Sequence, residues 1–177
     1  MDSNRHLVFV TVGTDHHPFD RLVAWADAWV ASGRYPDVAC LIQSGTSNPP
    51  VHTPWHDYVR YDEMCAAMSS AIAVVCHGGP ATIMDARRLG RVPIVVPRSA
   101  DLGEHVDNHQ QRFARRMSEL GEIRVAASQD ELFALLDRAL ADPAAFAVQQ
   151  DGDEIAAAVR RFEELVDGMF SRRKARS

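Results

Sequence analysis

The sequence predicts an α/β fold, a single doubly wound parallel sheet, on three observations. Short apolar runs recur along the chain, and stretches with helical spacing separate them. Strands that alternate with helices in this way build a parallel sheet. The run at residues 71–76, AIAVVC, lacks the polar alternation of a half-exposed strand, which marks a strand covered on both faces. It leads directly into His77-Gly78-Gly79-Pro80 and a helical stretch, so the centre of the chain reads as strand, tight turn, helix and strand.

The elements follow in order. Residues 7–12 form the first strand, and Gly13-Thr14 turns the chain. From Pro18, the residues Phe19, Leu22, Val23, Ala26, Trp29 and Val30 keep helical spacing until Gly33 and Pro36 stop the helix. Residues 38–42 form the second strand, and residues 43–50 are a polar, proline-containing loop. Residues 58–61 read as a short third strand. A helix over 62–70 opens on two acids, as its dipole prefers. After the turn at residues 77–80, Pro80 suits a helix start because its missing N–H would have no helical partner there. That helix runs over 81–89 and Gly90 ends it. Residues 93–96 form a buried strand, 98–106 a polar loop, 108–120 a helix capped by Gly121, and 123–126 the last strand. Ser128-Gln129-Asp130-Glu131 is a capping box before a helix that ends near Asp142-Pro143. A final helix is expected over 154–170, with Ile155, Val159, Phe162 and Val166 on one face. The domain is therefore drawn over residues 1–170, with a basic, disordered tail over 171–177.

Composition narrows the function. A chain of 177 residues suffices for one domain with a real core and is short for two. A net charge of −5 argues against a nucleic-acid-binding surface. Cys40, Cys65 and Cys76 sit in apolar or helical contexts without metal-like spacing, so they read as reduced thiols of a cytoplasmic protein. No apolar run approaches the ~20 residues that span a bilayer, and no secretory leader is visible.

Right-handed crossovers put the loop after each strand on one edge of the sheet. That edge gathers Gly13, Thr14, Gln43, Ser44, Tyr61, residues 77–79 and residues 98–110. The helix that starts at Pro80 presents free N–H groups and partial positive charge, which suits an anion. Thr82 can add a hydroxyl from the first helical turn. Asp85, one turn on, can accept from a diol, because a carboxylate supplies paired acceptors. Asp15, His16, His17, His52 and His56 invite a metal reading, but their spacing fits no ligand pattern, so no metal site is expected. His16 and His17 could instead face an acceptor or a partner.

His77-Gly-Gly-Pro-Ala-Thr82-Ile-Met-Asp85, with Gly90, Pro93 and Pro97, resembles the donor-nucleotide segment of GT-B glycosyltransferases. Phe9-Val-Thr-Val-Gly-Thr14 followed by residues 18–23 resembles the opening of the glycosyltransferase family 28 C-terminal domain, and Gly103-Glu-His-Val-Asp-Asn-His-Gln110 resembles its sugar-contacting segment. The three segments agree in order over residues 7–126 and are most similar to PssE-like soluble donor-binding subunits of two-part exopolysaccharide glycosyltransferases. A eukaryotic relative of that group is the soluble half of the enzyme adding the second N-acetylglucosamine to a dolichol-linked carrier.

The resemblance implies a single Rossmann-like sheet, the C-terminal half of a GT-B fold. It implies Gly13, Thr14, His77, Gly78 and Gly79 at the diphosphate, Thr82 at phosphate or ribose, and Asp85 at the ribose. Asp85 stands where most relatives have Glu. Tyr61 falls in the segment whose backbone reads the uracil edge, and His109 and Gln110 fall where relatives contact the sugar. Glu104 and His105 could order that loop instead. The implied chemistry is inverting transfer from a UDP-sugar to a lipid-linked glycan in exopolysaccharide or capsule synthesis. The UDP-sugar is a substrate, and no cofactor is implied. The general base is unassigned in this chain and is expected from a membrane-associated, acceptor-binding partner subunit. That partner would hold the chain at the inner face of the membrane, and the basic tail could touch anionic lipid.

Three other classes compete. A non-catalytic nucleotide-sugar-binding module would use the same donor site without turnover. A UDP-sugar 2-epimerase-like isomerase is expected to need two Rossmann domains in one chain. An NAD-binding protein would carry G-x-G-x-x-G after the first strand, and this sequence does not.

Overall fold

A computed structural model of the chain describes residues 6–148. The helix expected over 154–170, the domain end at 170 and the tail over 171–177 lie outside the described residues.

Six strands form one parallel sheet in the order β3-β2-β1-β4-β5-β6. They are β1 (His6–Thr11), β2 (Val38–Gln43), β3 (Trp55–His56), β4 (Ala73–Cys76), β5 (Ile94–Val95) and β6 (Arg124–Val125). Among the described residues, four helices lie between strands, α1 (Asp20–Ala31), α2 (Tyr61–Ser70), α3 (Pro80–Arg88) and α4 (His109–Glu119), and α5 (Gln129–Ala141) follows β6. The expected doubly wound sheet is present, and its central strands are apolar on both faces. Val8 and Val10 belong to one core with Leu22, Val23, Leu132 and Leu136. Phe9 and Val74 belong to a core on the opposite face with Met68 and Ala86. Successive side chains of a strand point to opposite faces, so β1 fills both layers.

The third strand differs from its expected place. It is not at residues 58–61: Trp55 pairs with Ile42 and His56 with Gln43. The backbone N–H of Arg60 donates to the Glu63 carboxylate, and Tyr61 opens α2. That single cap draws Tyr61 into the helix, leaving the residues just after Pro54 to pair with β2. Tyr61 is therefore an exposed helix-start residue rather than a strand end. A short 3-10 turn over Ala100–Leu102 interrupts the polar loop after β5, and a second one over Pro143–Phe146 follows α5. The remaining boundaries move by one or two residues. Among the described residues, no helix is long and apolar enough to cross a membrane.

Strand order reverses between β1 and β4. Chain connections leave β1 toward β2 and leave β4 toward β5, opening a crevice at their carboxyl ends. In open α/β sheets that reversal is where ligands bind.

Candidate functional site

The crevice is floored by the Gly13 and His77–Pro80 turns. Gly13 has φ +79°, a left-handed conformation that favours glycine. A side chain there would also collide: its Cβ would fall 2.3 Å from Cε1 of His77. A Cβ on Gly79 would fall 2.2 Å from Nε2 of the same ring. The two glycines thus clasp His77 from either side, joining the turn after β1 to the turn after β4. The end of β1 is fixed by Thr11, which donates to Gln43 and accepts from the Gly13 N–H at 3.1 Å. Gln43 in turn donates to the Gly13 carbonyl at 3.0 Å.

His77 is 7% exposed, and its Nδ1 is buried without a hydrogen-bond partner among the described residues. Burial first, then the charge of Arg98, lowers its pKa to about 4. The imidazole is neutral at physiological pH, so it can offer a ligand a hydrogen bond but not a charge. Above it, α3 starts at Pro80 with no side-chain cap. Ala81 and Thr82, in the first turn, have N–H groups without a helical acceptor. These groups and the dipole make this the anion-binding end of the crevice. Thr14 is exposed beside Gly13.

Asp85 lies one helical turn into α3, with a side chain 14% exposed. Tyr61 donates its hydroxyl to Asp85 Oδ1 at 3.0 Å, and Arg88 lies 3.8 Å from the same oxygen. A hydrogen bond to Cys65, then one to Asp85, pushes the Tyr61 phenol up to about 12. The two residues read separately in the sequence therefore form one pair, joining the start of α2 to α3. The carboxylate keeps Oδ2 as an acceptor.

The loop after β5 lies across the crevice. Gln110 Oε1 accepts from the Gly78 N–H at 3.1 Å and from the Arg98 N–H at 3.3 Å. The Gly78 N–H, offered by the sequence to a diphosphate, is thus occupied by Gln110, and the Gln110 NH2 is the end left to donate. His109 is exposed and pairs with Asp107 at 2.6 Å. Glu104 orders the loop, as the alternative reading held. Its carboxylate receives Nε and Nη2 of Arg21 at 2.8 Å each and the Ser99 N–H at 2.8 Å.

One group escaped the sequence reading. Arg98 is fully buried and donates to the carbonyls of Val12, His17 and Glu104 at 2.8, 2.7 and 3.0 Å. Nothing in its local pattern separates it from a solvated loop arginine. Asp15, His16 and His17 offer donor atoms within 4.8 Å of one another. His17 Nδ1, however, is hydrogen-bonded to Asp15 at 2.6 Å, and the His16 side chain is 85% exposed. In this arrangement His17 Nδ1 and Asp15 Oδ1 are engaged with each other. His52 donates its backbone N–H to Asp27, and His56 lies in β3.

The structure brings Gly13, His77, Gly78 and Gly79 together with Gln110, and separately pairs Tyr61 with Asp85. Thr14, Thr82 and His109 sit on the same carboxyl edge.

Comparisons with known proteins agree with this architecture. The chain is 27% identical over 99 residues to the UDP-N-acetylglucosamine transferase subunit ALG13 of Yarrowia lipolytica, covering 51% of this chain and 48% of that protein. It thus spans about half of that relative's length. The calicheamicin glycosyltransferase CalG4 superposes with a TM-score of 0.61 at 15% identity, over 94% of this chain and 42% of that one. The glycotransferase of kitacinnamycin gives 0.58 at 21%, over 89% and 38%. MurG of Acinetobacter baumannii gives 0.56 at 16%, over 94% and 50%. At these identities the superpositions speak for a GT-B fold and nothing further. The family profile of the glycosyltransferase family 28 C-terminal domain matches residues 7–165, most of the sequence, and the chain belongs to that family.

Proposed function

We propose that this chain is the donor-binding subunit of an inverting glycosyltransferase. It holds a UDP-sugar and, together with a membrane-associated acceptor-binding partner, transfers the sugar to a lipid-linked glycan in exopolysaccharide or capsule synthesis. The observation that carries this reading is the crevice between β1 and β4, where the uncapped start of α3 stands over the His77 clasp. The diphosphate lies against the Ala81 and Thr82 N–H groups, with the hydroxyls of Thr14 and Thr82 and a neutral His77 completing the donors. Asp85, oriented by Tyr61, accepts from the ribose. The Gln110 NH2 and His109 reach the sugar. As UDP leaves, its growing charge meets fixed N–H dipoles that need no reorganisation. No divalent cation enters this scheme. The name of the Yarrowia relative, a transferase subunit that uses UDP-N-acetylglucosamine, supports both a UDP-sugar donor and a divided enzyme.

The test is a radiolabelled transfer assay on the purified chain, on partner-containing membranes lacking this chain, and on their mixture. Transfer is expected from the mixture alone. Orientation of the two reactants contributes about 7–11 kcal/mol of barrier lowering, so the chain by itself should fall below detection. Robust transfer by the purified chain alone overturns the two-subunit reading. Tight UDP-sugar binding with no transfer in any mixture leaves a non-catalytic nucleotide-sugar-binding module.

A further inference from the structure

The loop after β1 holds an ordered acid–imidazole pair that donor binding does not use. Asp15 Oδ1 accepts the His17 backbone N–H at 2.8 Å and faces His17 Nδ1 at 2.6 Å. A carboxylate can only accept, so Nδ1 carries the proton and Nε2 keeps its lone pair. The second oxygen, Oδ2, lies 3.6 Å from His105 Nε2. His105 Nδ1 accepts from the Asp107 N–H at 3.4 Å, which puts the His105 proton on the nitrogen facing Asp15. Burial raises the Asp15 carboxyl, but the His17 hydrogen bonds and the Arg98 charge outweigh it and hold its pKa below 3.8. The pair is anchored from below: Arg98 Nη1 donates to the His17 carbonyl at 2.7 Å, and Thr46 donates to the His16 carbonyl at 2.9 Å. The His17 side chain remains 23% exposed. Asp15 follows Gly13 by two residues, and Gly13 packs directly on His77. The pair therefore stands at the rim of the crevice, beside the donor turn.

We propose that Asp15 and His17 form the general-base dyad of the transfer, with His17 Nε2 taking the proton of the acceptor hydroxyl. This rests on the transferase reading above and relocates the base from the partner to this chain. In the step, the hydroxyl O–H bond breaks and its proton passes to Nε2. The oxygen's electron pair forms the bond to the anomeric carbon. The bond from that carbon to the diphosphate breaks, and its electron pair leaves with UDP. The imidazolium is stabilised by the Asp15 carboxylate and later returns the proton to water. The groups facing His17 are Asp15 and His16 on its own loop, and His105 and Arg98 from the loop after β5.

The experiment uses the full chain mixed with partner-containing membranes, with kcat measured across pH and UDP binding followed by calorimetry. His17→Gln is expected to lower kcat by about 10²–10⁴-fold, the usual contribution of a general base. UDP affinity should stay within about two-fold, because removal of a group that acts only in the transition state leaves ground-state binding intact. Asp15→Asn should lower kcat and move its acid limb to lower pH, since losing the carboxylate charge weakens the imidazole as a base; a merely structural role would not move that limb. Unchanged turnover in His17→Gln overturns the proposal, as does a parallel loss of UDP binding and turnover. If the wild-type chain binds UDP but no mixture transfers sugar, there is no reaction for the dyad to serve and the proposal falls with the transferase reading. If it binds no UDP, the donor site itself is wrong.

Discussion

At the scale of residues, His77 is the most constrained group of the site. The two glycines leave room for its ring and no more, and its Nδ1 has no partner among the described residues. Its pKa of about 4, against an ordinary 6.5, has a consequence for folding. The unfolded chain takes up the proton that the folded one refuses, so the stabilisation is complete above pH 6.5 and is lost as pH falls toward 4. Wild-type stability should therefore drop by about 2–3 kcal/mol from this group alone between pH 6.5 and 4.5. His77→Asn should lack that component, and urea unfolding at the two pH values measures the difference; parallel pH profiles would refute it. Asp85 belongs to the same scale. A hydrogen bond to a charged acceptor contributes about 1.5–3 kcal/mol, so Asp85→Asn should weaken UDP binding by roughly ten-fold or more. A UDP analogue lacking a ribose hydroxyl should lose less, and equal losses for both ligands would show that Asp85 does not read the ribose. The glycines, His77 and Asp85 were legible because tight turns and helix starts have strict residue requirements. The Asp15–His17–His105 cluster was not, because His105 comes from another loop that only the folded sheet brings near.

At the scale of elements, the crevice is held open by one buried cation. Arg98 links the carbonyls after β1 to the loop after β5 and lies over the Phe19 ring at 4.7 Å. Arg21 and Glu104 tie the same loop to α1. Arg98→Met keeps most of the volume but leaves several buried carbonyls without donors. Each buried acceptor left without a donor costs about 1–3 kcal/mol, and the denaturation midpoint should fall accordingly, with UDP affinity reduced as the Gly13 turn loosens. A change under about 1 kcal/mol with unchanged UDP affinity would refute this bracing role. Strands and helices were mostly legible, since continuous apolar runs and helical spacing are strong signals. β3 was not. It is two residues long, lies at the sheet edge and is exposed, so it has no buried face to imprint a pattern. The stretch beside it, Tyr58-Val59-Arg60-Tyr61, carries more strand propensity but is captured by the cap at Arg60 and Glu63.

At the scale of the molecule, the order β3-β2-β1-β4-β5-β6 puts every proposed donor contact on one edge. The sheet was legible as a class, but its crevice depends on strand order, which no local pattern records. The chain belongs to the glycosyltransferase family 28 C-terminal domain and superposes on half or less of each solved relative; under the proposed function it forms one wall of a two-walled active site. Under the proposed function, this wall alone recognises the donor nucleotide through backbone N–H groups and Asp85. The most direct measurement is calorimetric titration of the full chain with UDP, with and without EDTA. Saturable one-to-one binding that EDTA leaves unchanged is expected. Absence of binding, or binding that vanishes with EDTA and returns with a divalent cation, would contradict it.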